Sequence, residues 1–189
     1  MPWGFAERRL LPTEAFHTQA EISGKESLQP LSPMSTSSGQ SATVAGARIG
    51  RWIVPGIPYG WTWVPEFGIQ KRSEGMVPSN VYLREDQLLA GDRLELYIRA
   101  QITIMKRTFM DPMIAGPAAS AFPEADEAAM LMLKHRPMHQ ISVFQVQHYV
   151  RSGKWIGIAT LTTLESELLQ VRPDFDQFMK LLRIAPESG

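Results

Sequence analysis

The chain has 189 residues, 44% of them apolar, which is enough for one domain with a buried core and leaves little room for a second. Lys and Arg number 19, as do Asp and Glu, so the formal charge is zero and the basic footprint of a dedicated nucleic-acid binder is missing. Cysteine is absent from the sequence, which excludes disulfides, thiol catalysis, cysteine-ligated zinc and a lipid-accepting cysteine.

Residues 1–20 mix Arg8, Arg9, Glu7, Glu14 and His17 with Pro2 and Pro12, without the continuous apolar run of a signal peptide. No stretch has the length and apolarity of a membrane span. The expectation is a soluble, cytoplasmic protein. Residues 1–47 read as an arm, and 48–189 as a single domain. From Ser23 to Gly46 the arm is rich in Ser, Thr, Gly and Pro, and buries too little to offset its ordering entropy. Trp3, Phe5, Leu10, Leu11 and Phe16 are costly to leave in water, so ordering by a partner or against the domain is the alternative.

The domain opens with most of the tryptophan: Trp52, Trp61 and Trp63, with Tyr59 and Phe67 among Pro55, Pro58 and Pro65. Arg48–Val54 reads as one short strand and Trp61–Val64 as another, both confined by proline to sheet edges or ends. Their rings either close one end of the core or form an aromatic binding surface; the first is the plainer account. Asn80–Arg84 is a strand with Val81 and Leu83 on one side and Tyr82 on the other. Gly91 then leads into a helix, with Asp92 as N-cap and Glu95 completing a capping box. Leu94, Ile98, Ile102, Met105 and Phe109 form its apolar stripe.

Residues 111–127 read as a long loop around Pro112, Gly116, Pro117 and Pro123, with room for a short strand at Met113–Ala115. Ala128–Lys134, apolar on both faces, has the pattern of a central strand, and His135–His139 is a solvated turn around Pro137. Gln140–Val150 is a full strand. Arg151–Lys154 is its hairpin turn, and Trp155–Thr162 the returning strand. Thr162 and Glu165 form a capping pair, and a final helix runs from Pro173 to Ile184. Phe175, Phe178, Met179 and Leu182 are its buried face.

Catalytic patterns are sparse. His135 and His139 have a helical ligand spacing, but Pro137 stands between them and no third ligand is evident. His148 reads as a hydrogen-bonded sheet residue. Neither a nucleophile elbow nor a glycine-rich phosphate loop occurs. Acidic pairs such as Asp174 and Asp176 suit a helix start. Met105, Met130, Met132 and Met179 fall at core positions, whereas Met110, Met113 and Met138 lie in loops able to face a partner. No catalytic residue, cofactor or metal is expected.

The run Asn80-Val81-Tyr82-Leu83-Arg84-Glu85, leading through Leu88, Gly91 and Asp92 into a helix with Tyr97, resembles the middle of PsbP/DcrB-like domains. The strand Val143–Val150, its glycine turn, the strand Trp155–Thr162 and the helix Pro173–Ile184 are similar to their C-terminal half, so the likeness covers about residues 76–186. It implies an α+β fold, an antiparallel β-sheet with helices packed mainly on one face, here preceded by the Ser/Pro-rich arm. The leaderless, cytoplasmic members it brings closest are the effector-associated chaperones of type VI secretion. Those resemble dimers holding the apolar, membrane-destined helices of a toxin on the free sheet face.

A sheet covered on one face shows the other to something. On Gln140–Val150, Ile141, Val143, Gln145, Gln147 and Tyr149 share one face, mixed apolar and amide, suited to apolar helices with polar groups between them. An ordinary half-solvated sheet is the plainer account. Trp61, Trp63, Val81 and Leu83 are weaker candidates for the same surface. The reading is a non-enzymatic adaptor or chaperone, homo-oligomeric, whose partner is a protein with apolar helical segments, with no nucleic acid and no membrane span of its own. The alternative is a structural or accessory subunit whose arm is ordered against neighbours. An enzyme would have to build its site from His135, His139 and His148.

Overall fold

The computed structural model describes residues 47–65, 67–72, 78–89, 91–138 and 141–186. The arm, apart from Ala47, lies outside the described residues, as do Met76, His139 and Gln140. No helix among the described residues is long and apolar enough to cross a membrane.

Where one strand is expected at Arg48–Val54, two form: β1 (Ala47–Ile49) and β2 (Trp52–Val54). Gly50 takes a left-handed φ of +54° and turns the chain, and the Glu85 carboxylate accepts the Arg51 N–H at that turn. Strand β3 (Trp61–Val64) is as expected, and β4 (Gly68–Lys71) pairs beside it. Strand β5 outruns its expected end, spanning Asn80–Gln87, because it pairs with β9 as far as Gln87 opposite Trp155.

Helix α1 covers Leu94–Thr108. Its N-cap is Arg93, with no side-chain capping bond, so the expected box on Asp92 and Glu95 does not form. Glu95 pairs with Arg99 instead, and entry to the helix is fixed by burial of Leu94 and Ile98. The expected loop after it holds strand β6 (Met113–Ala119), antiparallel to β7 (Glu127–Met138). A register shift between Ala115 and Ala118 accommodates Gly116 and Pro117 at this sheet edge. Strand β7 continues through the expected turn, so His135 is a buried strand residue at 7% exposure, stacked on Phe109 at 4.2 Å.

Strands β8 (Ile141–Ser152) and β9 (Trp155–Leu164) form the expected hairpin at Gly153, whose φ is +62°. A 3-10 turn at Glu165–Glu167 leads into α2 (Leu168–Leu181). The helix therefore starts before Pro173, which sits inside it, and Thr162 is a strand residue rather than a cap. Past the helix, Arg183–Ile184 forms β10 against β2 rather than a last helical turn.

The large sheet is antiparallel, in the order β3-β4-β5-β9-β8-β7-β6, and the small one is β1-β2-β10. The implied α+β class and antiparallel sheet are present. The helices, however, do not pack mainly on one face as expected: one lies on each face of the large sheet, because β7, β8 and β9 are apolar on both sides. Adjacent β8 residues fix the sides: His148 meets Phe175 of α2 at 5.6 Å, and Tyr149 meets Tyr97 of α1 at 6.2 Å. Strand β7 is apolar on both faces because both are covered, although it is next to the edge rather than central. Met130 and Met132 pack with the α2 cluster; Leu131 and Leu133 pack with the α1 cluster. The α2 face also carries the small sheet, with Trp52 edge-on to Trp155 at 5.3 Å.

Candidate binding face of the sheet

The α1 face is covered in part. Helix α1 rests on Leu131, Leu133, Tyr149, Ile156 and Ile158, which belong to β7, β8 and β9. Its first turns are tied down by Tyr97, whose hydroxyl donates to Asp86 on β5 at 2.8 Å. Its far end is seated by Phe109 on His135.

Beside the helix, strand register aligns two rows of side chains across the sheet. Gln145 stands opposite Thr162, Thr162 opposite Asn80, Asn80 opposite Gln70, and Gln70 opposite Thr62. The neighbouring row is Gln147, Thr160, Tyr82, Gly68 and Val64. No residue of either row is charged, although at the β3 end Thr62 Oγ1 accepts from the Arg72 guanidinium at 3.1 Å. The first consists wholly of amides and hydroxyls, each half-buried. In the second Tyr82 is 44% exposed. Five strands at about 4.8 Å spacing make the band about 19 Å wide.

The band is anchored from beneath α1 by a ladder along β8. The Tyr149 hydroxyl, 1% exposed, donates to the Gln147 Oε1, and Gln147 Nε2 donates to Gln145 Oε1 at 3.0 Å. Burial raises the Tyr149 pKa well above the ordinary tyrosine value, so its hydroxyl stays a donor. Tyr97 is raised too, by burial first and then by its bond to Asp86. The ladder therefore donates one way, from the buried tyrosine out toward Gln145.

Of the residues singled out from sequence, Ile141, Val143, Gln145, Gln147 and Tyr149 do share the α1 face. Only Ile141 and Gln145 among them are half-exposed; Val143, Gln147 and Tyr149 are buried. Trp61, Trp63, Val81 and Leu83 point to the opposite face and belong to the α2 side. Trp61, Val81 and Leu83 are buried there, at 4%, 0% and 2% exposure, so the two sets do not form one surface. Tyr82, between Val81 and Leu83, is the β5 residue that joins the band. Sequence reasoning missed Thr160, Thr162, Asn80, Gln70 and Thr62. The alternation Thr160-Leu161-Thr162 was a usable signal; the lateral alignment depends on register and was not.

The α2 face offers less chemistry. His148 lies between sheet and helix, and burial with the nearby Arg172 lowers its pKa to about 4. Burial lowers that of His135 as well. Among the described residues no group of three or more His, Asp or Glu side chains is placed to hold a metal ion.

No protein-family model matches the chain, and no curated protein matches it. Among solved structures it is similar to PA94 from Pseudomonas aeruginosa, a protein of unknown function, with a TM-score of 0.54 at 15% identity. That match covers 77% of this chain and 98% of the other. It is similar also to LpqN from Mycobacterium tuberculosis, with a TM-score of 0.55 at 13% identity over 71% of this chain and 83% of that one. The fold is shared. Cyanobacterial PsbP (CyanoP) from Synechocystis gives a TM-score of 0.48 at 12% identity, over 78% of this chain and 98% of that one.

Proposed function

We propose that the chain is a non-enzymatic binding protein, an adaptor or chaperone that seats an apolar, helical segment of a partner protein on the uncharged band beside α1. The observation that carries this reading is the row Gln145–Thr162–Asn80–Gln70–Thr62. Amides and hydroxyls without charge meet apolar side chains at low desolvation cost, and hydrogen-bond the small polar groups between them. A band about 19 Å wide takes about thirteen residues of helix laid across it. The partner class that the PsbP/DcrB resemblance implies is a secretion effector with membrane-destined helices. A second reading, an accessory subunit of a larger assembly, draws on LpqN, described as involved in cell envelope biogenesis.

Affinity purification from the native host, with mass spectrometry of the eluate, tests this. The expected result is one larger protein with apolar helical segments, recovered in a fixed ratio and lost when Gln145→Lys or Thr162→Lys puts a charge in the band. Each substitution should weaken capture at least tenfold while leaving the circular dichroism spectrum unchanged. Capture indifferent to both charges, or recovery of several subunits of one complex, would overturn the docking role.

A further inference from the structure

On β5, alternation sets Asn80, Tyr82, Arg84 and Asp86 on the α1 face, and Arg84 is the charge that borders the band on this strand. It stands opposite Ile158, which stands opposite Tyr149, so an apolar side chain separates the two. On its other flank the pairing of β4 with β5 has already ended, at Gly68 opposite Tyr82. Five arginines among the described residues are half-buried, and four of them spend their guanidinium donors. Arg51 donates to the Ala185 carbonyl, Arg151 to Glu127, Arg172 to Asp176 and Arg183 to the Lys180 carbonyl. Arg84, the fifth, makes neither a side-chain hydrogen bond nor an ion pair among the described residues. Both acidic residues that follow it are committed elsewhere. The Glu85 carboxylate takes the Arg51 N–H, and Asp86 accepts from the Tyr97 hydroxyl and the Gln87 N–H, each at 2.8 Å. The guanidinium lies close to the anchored end of the band, because its charge opposes the pKa rise that burial causes in Tyr97 and Tyr149.

We propose that Arg84 is a carboxylate-binding site, which takes an Asp or Glu side chain of the segment seated on the band. A planar guanidinium offers paired N–H donors that match the two oxygens of a carboxylate, and half-burial beside Ile158 strengthens such a pair relative to one in water. Charge balance selects a carboxylate over a phosphate. Arg84 offsets one negative charge, and Asp86, about 7 Å along the same strand face, repels a second. The site also adds something the band lacks. Amides and hydroxyls seat an apolar helix equally well in either direction, whereas one cation at one side fixes which end of the helix lies there. The source of the carboxylate rests on the band reading; the chemistry of the site does not.

Two arms test it on the full chain. In the first, acetate replaces chloride at constant ionic strength while the Arg84 Nε–Hε resonance is followed by NMR. A saturating shift is expected, larger than that of any other arginine and larger than inorganic phosphate gives. In the second, fluorescence anisotropy measures a synthetic helix of Leu, Ala and Ser, about thirteen residues long, with one Glu near its end. The Glu form should bind about tenfold more tightly than its Gln counterpart. Arg84→Gln should equalise the two, and Arg84→Glu should transfer the preference to a Lys form. A misfolded variant would instead lose every form alike. Equal binding of the Glu and Gln forms by the unaltered chain would overturn the site and leave the band standing. Failure of every form to bind, with the acetate shift intact, would overturn the band as the source and leave the site. A stronger response to phosphate would overturn the choice of ligand. So would an acetate shift that appears only with Glu66→Gln, since the chain's own carboxylate would then be the occupant.

Discussion

At the scale of single residues, the buried histidines carry a pH dependence with a definite sign. His148 has a folded pKa of about 4 against an ordinary 6.5, caused first by burial and then by Arg172. Between those values the unfolded chain binds a proton that the folded chain refuses, so stability falls as pH drops through that window and levels off below it. The loss is about 3 kcal/mol at most. His135 is lowered by burial and acts in the same sense. Replacing His148 with Leu, beside the Phe175 ring, should flatten the decline in urea-unfolding free energy between pH 7 and pH 4.5. An unchanged slope would remove His148 from the account. Tyr149→Phe takes away the donor to the buried Gln147 Oε1, and should cost about 1–3 kcal/mol in the same assay at pH 7. Neither histidine's role was legible in sequence. His148 read as a hydrogen-bonded sheet residue, whereas its Nε2 is buried without a hydrogen-bond partner among the described residues. His135 read as part of a solvated turn, where the continuation of β7 buries it.

At the scale of elements, what could be read was what a local pattern dictates. The hairpin of β8 and β9 was legible because Gly153 sits between two long apolar runs, and the core stripes of α1 and α2 were legible from their spacing. Helix ends were not, because tertiary contacts set them: α1 begins where Leu94 reaches the core, and α2 runs through Pro173. Strand β6 was only partly legible, since a Gly-Pro pair reads as loop until a partner strand supplies the other half of the ladder. The small sheet was invisible, because β10 follows a helix and pairs with a strand far back in the chain. Its packing on the large sheet depends on one position. At Gly157 an added Cβ would lie 2.3 Å from the Trp155 ring and 2.4 Å from the Trp52 ring. Gly157→Ala should therefore separate the sheets and destabilise by about 1–3 kcal/mol. The accompanying change is a red-shifted tryptophan emission, and a stability loss without that shift would place the strain elsewhere.

At the scale of the whole molecule, one sheet carries two cores. Trp52, Trp61 and Trp155 belong to the α2 cluster and Trp63 packs against it, while the α1 cluster is built on Leu94, Ile98, Met105, Tyr149 and Ile156. This arrangement explains why the candidate residues from sequence fell into two sets: alternation tells which residues share a side, but not which side is open. It also makes cooperativity measurable. Strands β7, β8 and β9 contribute to both clusters through alternate residues, so neither core can be lost without stripping the other's floor. Ile98→Val removes one methylene on the α1 side, where Ile98 is 1% exposed, and should cost about 1 kcal/mol. The nearest tryptophans lie across the sheet, yet the tryptophan-fluorescence midpoint in urea should fall by the same amount as the far-ultraviolet circular dichroism midpoint. If fluorescence holds while circular dichroism shifts, the two faces unfold separately. The candidate band would then be a surface able to loosen with α1 while the tryptophan core stays intact.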